Sequence, residues 1–169
     1  MDEVRALAIN GFLGYGYALE SLRAGIAARP HFVGGDAGSS DPGPYYLGSG
    51  EQLVKPRQVH RDLKHALVSA RRAGVPLVIG AAGTAGGEPH LRALLEILHR
   101  IAGEEGLHFR LGIIHSEVDQ KLLLEALEAG RVRPMRGTPP LTAEDVKHSA
   151  RLVAQVGVRP FIEALEGGA

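Results

Sequence analysis

Two short segments set an imidazole beside a carboxylate: Glu88-Pro89-His90 and His115-Ser116-Glu117. Histidine changes charge close to pH ~6.5, and a partly buried glutamate can be raised towards that value, so such pairs suit general acid and base work near neutrality. Asp36 adds a third carboxylate where an apolar run ends, a common place for a ligand-binding or catalytic group. The three segments could also hold a hard or borderline divalent cation, but neither pair has a His-x-x-x-His spacing or any other ligand motif, so metal is the lesser reading and the cofactor stays open. Structural readings compete. Glu88 precedes Pro89 at a helix start, where its charge could serve the helix dipole alone, and Ser116 with Asp119 has capping-box spacing. No Gly-x-Ser-x-Gly elbow supports Ser116 as a nucleophile.

Glycine supplies the second set of candidates. Ten of the 23 glycines fall within residues 34–50 and 80–87. Such segments let main-chain N–H groups approach a ligand, above all where a helix N-terminus adds partial positive charge, and the expected guest is a phosphate or carboxylate. Neither the G-x-G-x-x-G spacing nor a P-loop is present, which removes the common nucleotide motifs. Gly83, Thr84, Gly86 and Gly87 are the backbone candidates. Residues 35–50 read as one long loop, in which Ser39, Ser40 and Asp41 could bind substrate and Tyr45 and Tyr46 could cover it. Asn10, Ser116 and Glu117 complete the candidate binding set.

These groups need elements that bring them together. Continuous apolar runs at residues 4–9, 31–33, 75–79 and 109–114 predict four strands covered on both faces, and residues 132–134 a fifth at an edge. Helical spacing appears in Val59, Leu63, Ala66, Leu67 and Ala70 up to Gly74, and in Leu91, Leu94, Leu95, Leu98, Ile101 and Ala102 up to Gly103 or Gly106. Further helices are expected around residues 19–26 and 122–127. Thr142 with Asp145 opens another that would run to Gly157, and residues 158–165 begin a last one. Alternating strands and helices argue for an α/β fold, a three-layer Rossmann-like parallel sheet of four or five strands flanked by helices, with the order 2-1-3-4. In a parallel sheet every strand ends at the same edge, so the loops after residues 9, 33, 79 and 114 would share one rim.

Composition narrows the class. Nineteen basic and nineteen acidic residues leave no net charge, so nucleic acid and anionic membrane surfaces are poor partners. No run approaches the ~20 apolar residues of a membrane span, which points to a cytoplasmic protein with a small-molecule substrate. The absence of cysteine excludes disulfides and thiolate chemistry. Residues 158–169 read like a helix-to-strand connection with no strand after it, so the 169 residues are expected to form a single α/β domain, the N-terminal part of a longer architecture or one unit of a homo-oligomer.

The stretch from Asp36 to Gly48 (DAGSSDPGPYYLG), the segment Gly83 to His90 (GTAGGEPH), Ile114-His115-Ser116-Glu117 and residues 153–169 resemble the acyclic terpene utilisation (AtuA-like) family over nearly the whole chain. That resemblance implies a setting in the breakdown of acyclic terpenes and branched acids, often as acyl-CoA thioesters, and a chain that continues into a further strand. The reading that joins both lines is an enzyme domain doing lyase, hydratase or isomerase chemistry, with Asp36 and His115 exchanging protons and Glu88 and His90 assisting. The alternative is a non-catalytic module that binds phosphate or CoA, or serves assembly.

Overall fold

The computed structural model describes residues 3–9, 11–38 and 43–169. Asn10, Ser39, Ser40 and Asp41, four of the candidates above, lie outside the described residues. Three parallel strands, β1 (Ala6–Ala8), β2 (Phe32–Gly38) and β3 (Leu77–Thr84), form the sheet. Among the described residues seven helices join or follow them: α1 (Leu19–Ala27), α2 (Gly43–Ser49), α3 (Pro56–Ala73), α4 (Glu88–Glu105), α5 (Gln120–Glu128), α6 (Ala143–His148) and α7 (Arg159–Glu166).

The strands run in sequential order β1-β2-β3, which corrects the expected 2-1-3-4. Register places Leu7 beside Val33 and Val33 beside Leu77, so the centre of the sheet is a row of aliphatic side chains around a fully buried Val33. Helices that cross over between sequential neighbours fall on one side of the sheet. In agreement, α1 packs on α3, and α3 packs on α4, β2 and β3.

The strong helices form for the expected reasons. Val59, Leu63, Ala66, Leu67 and Ala70 make one buried stripe on α3, and Leu94, Ile97 and Ile101 make another on α4. Both helices start with proline in the first turn, whose missing N–H has no partner to lose, and both end on a left-handed glycine, Gly74 and Gly106. Thr142 and Asp145 form the expected capping box, and the Thr142 hydroxyl and amide hold the Asp145 carboxyl below its ordinary value. That helix ends at His148, however, because Val153 leaves it for an antiparallel bridge to Glu117.

Three other expectations change. Strand β2 continues through Gly34 and Gly35 to Gly38, because the flanking isoleucines fill the space: a Cβ on Gly35 would stand 2.9 Å from Ile9 and 3.1 Å from Ile79. Residues 43–49 of the supposed loop are helical. Residues 109–114 have no regular structure and join no ladder, and residues 132–134 form no strand.

Candidate functional site

The carboxyl end of β3 is where distant segments meet. Strand β3 itself carries on to Thr84, through residues expected to be loop, with positive φ at Ala81, Gly83 and Thr84. Non-glycine residues held in such conformations are strained by about 1–3 kcal/mol each, and surrounding contacts must hold them there. At buried Thr84 the hold is visible: its Oγ1 accepts the Leu53 N–H at 3.2 Å. Gly83 is required sterically, since a Cβ there would run into the His90 main chain.

From this strained turn α4 begins, and three side chains gather at its first residues. The Glu88 carboxylate lies 3.0 Å from His115 Nδ1. The Glu117 carboxylate accepts the Glu88 N–H at 2.7 Å, and Ser116 Oγ donates to the Gly86 carbonyl at 2.8 Å. Residues 115–118 are held on their other side by main-chain bonds from Ala154 to Ser116 and from Val118 to Leu152, both 2.8 Å. The sequence pairs are therefore exchanged: Glu88 meets His115 rather than His90, and Glu117 meets the α4 backbone rather than His115. Each carboxylate thus finds its partner in another segment: Glu88 reaches His115, and Glu117 reaches the first amide of α4.

Hydrogen-bond chemistry constrains the proton positions. An ionised carboxylate only accepts, so a neutral His115 bonded to it carries its proton on Nδ1 and its lone pair on Nε2. His115 and Glu88 side chains are 59% and 34% exposed, so the pair is open to solvent. His90 is different. It is fully buried, and its Nε2–H donates to the Glu51 carbonyl at 3.0 Å, which makes Nδ1 an acceptor. That atom has no partner among the described residues and lies 3.1 Å from where a Cβ on Gly87 would stand. His90 thus ties residues 50–53 to α4, a positioning contact.

The glycine turn has few donors left for an anion. Pro89 has no N–H, the His90 and Leu91 amides donate to the Gly87 carbonyl, and Glu117 takes the Glu88 amide. A ligand anion at the Glu88 amide must displace Glu117. Ser116 is also not the cap of α5, as its spacing suggested: Asp119 caps α5 by accepting the Leu122 N–H at 3.0 Å.

Helix α2 borders the same region. Arg151 donates to the Leu47 and Gly48 carbonyls at 3.1 and 2.7 Å, and Leu47 packs at Gly87. Tyr45 and Tyr46 on this helix meet edge to face at 5.1 Å, with Tyr45 exposed. Asp36 stands at the same edge on β2, opposite Gly80, where its Oδ1 accepts the Gly38 N–H at 2.9 Å. Among the described residues no hydrogen bond or ion pair links it to Glu88 or His115. An open groove of about 440 Å³ runs from Glu88 along α4 past Arg92 and Glu96 to Arg151. A second cavity, apolar and about 430 Å³, reaches Gly86 and Ser116 from beneath. No cluster of three or more metal-ligating side chains occurs among the described residues.

Sequence reasoning missed Asp62. This carboxylate, 2% exposed on the core side of α3, accepts the Gly14 and Gly16 N–H groups at 2.8 Å each and Arg61 Nε at 2.7 Å. Its signal was an acidic residue interrupting the apolar stripe between Val59 and Leu63. Tyr17 donates to the Asp62 carbonyl, and burial, then the Asp62 charge, pushes its hydroxyl up to about 12. The clasp fixes the loop after β1.

Set beside known proteins, the chain matches no family model, no curated protein and no solved structure. No helix among the described residues is long and apolar enough to cross a membrane.

Proposed function

We propose that the chain is an enzyme domain that moves a proton on a small anionic or acyl substrate, acyl-CoA thioesters included, in lyase, hydratase or isomerase chemistry. The observation that carries this reading is the Glu88–His115 pair, 3.0 Å apart, joined across 27 residues of sequence and open to solvent at the carboxyl end of β3. A carboxylate that orients an imidazole and leaves the second nitrogen free is the arrangement of a general base. His115 Nε2 takes the proton from a carbon beside the substrate carbonyl, the C–H electrons pass into the enolate, and Glu88 stabilises the resulting imidazolium. The proton then returns to the same or a conjugated carbon. Asp36, at the end of the neighbouring strand, serves as the second proton carrier for substrates that span the rim. The apolar cavity below Gly86 and Ser116 suits the hydrocarbon part of an acyl group. The likeness of the loops to the acyclic terpene utilisation family supports branched acids as the first substrates to try.

The test is uptake of solvent deuterium into branched acyl-CoA thioesters, followed by mass spectrometry. His115→Ala should slow uptake by about 100-fold or more, the usual contribution of a general base, without lowering the melting temperature. Unchanged uptake in that variant removes His115 from the reaction.

A further inference from the structure

Among the described residues strand β3 ends the sheet order, with β2 on one side only. Its other side faces residues 109–114 across the cavity of about 430 Å³, whose walls include Leu77 and Ile79 of β3, Leu91, Leu95 and Leu98 of α4, and Phe161 of α7. An edge strand exposes a row of N–H and C=O groups, and backbone groups withdrawn from water need partners. Residues 109–114 have the matching need. They are largely apolar but belong to no helix or ladder, and Leu111 and Ile113 remain 41% and 44% exposed. Both ends of this strap are fastened, by Leu107 N–H to the Ala102 carbonyl at 2.9 Å and by Ser116 Oγ to the Gly86 carbonyl at 2.8 Å. The path from β3 through the 18-residue α4 and back along β3 is a crossover of the kind that delivers a parallel strand.

We propose that residues 109–114 are a strap with two positions: the one described here, away from β3 over the cavity, and a seat on the free edge of β3 as a fourth parallel strand. The seated strap fills the cavity with its own side chains, so an aliphatic chain in the cavity holds it away. This rests on the functional reading only in supposing that an acyl chain is the natural guest. Because the strap leads straight into His115, Ser116 and Glu117, its seating also tightens the segment that meets Glu88.

Amide hydrogen exchange followed by NMR tests the two positions on the unaltered chain, with decanoic acid as the probe. In a parallel edge strand only alternate N–H groups face the neighbour. Without the probe, alternate amides within 110–114 should therefore exchange roughly 100-fold more slowly than those between them. Saturating decanoic acid should abolish that alternation. Uniform unprotected exchange overturns the seated position, and an alternation that decanoic acid leaves intact overturns the competition. His115→Ala should keep the same exchange pattern, so failure of the strap and failure of the proposed reaction are read apart.

Discussion

Gly83 and Gly80 belong to the same strand and respond to different constraints. At Gly83, φ is +68° and an added Cβ would strike the His90 main chain, whereas a Cβ on Gly80 meets nothing within 4 Å. Gly83→Ala combines a left-handed conformation with a backbone clash and should cost about 2 kcal/mol or more, while Gly80→Ala should stay within about 0.5 kcal/mol of the parent. Urea denaturation of the two variants measures the difference, and equal stabilities would show that the turn into α4 is looser than described. The sequence made Gly83 a candidate for ligand approach; the structure gives it a nearer reason, since its missing side chain is where His90 passes. His90 itself was read as a catalytic assistant, and its burial and its bond to Glu51 make it the residue that holds the 50–53 segment in place.

At the scale of elements, the clasp between α3 and the loop after β1 has a pH signature. Burial, then the negative charge of Asp62, raises the Tyr17 hydroxyl to about 12, so the folded chain keeps it protonated after an unfolded chain has begun to ionise. A raised value means that the stabilisation is intact below the ordinary tyrosine range near pH ~10 and is lost as pH climbs through 12. The tyrosinate absorbance should show a component titrating near 12 that disappears in Tyr17→Phe; a titration unchanged by that substitution would contradict the clasp. The elements with a strong apolar period, α3 and α4, were legible in the sequence, as were their glycine stops and the Thr142–Asp145 capping box. Where local preference and surroundings disagree, legibility failed. Gly34 and Gly35 weaken β2 as read in isolation, yet Ile9 and Ile79 close over Gly35 and the strand continues. Residues 109–114 show the converse, with every local mark of a strand and no ladder in the sheet.

For the molecule as a whole, the parallel direction of the strands is what gathers the site, and this much followed from the alternation of apolar runs and helical segments. The pairing within the rim did not follow. Sequence neighbours suggested Glu88 with His90 and His115 with Glu117, but α4 turns His90 into the core, and the segment after residue 114 brings His115 and Glu117 to the first residue of α4 instead. The functional reading depends on that long-range contact and on the proton position it imposes. Long-range proton–nitrogen NMR correlation of the histidine rings measures this directly. His115 should carry its proton on Nδ1 in its neutral form and shift to Nε2 when Glu88 is replaced by glutamine in Glu88→Gln. A neutral His115 protonated on Nε2 in the unaltered chain, indifferent to Glu88→Gln, would contradict the account.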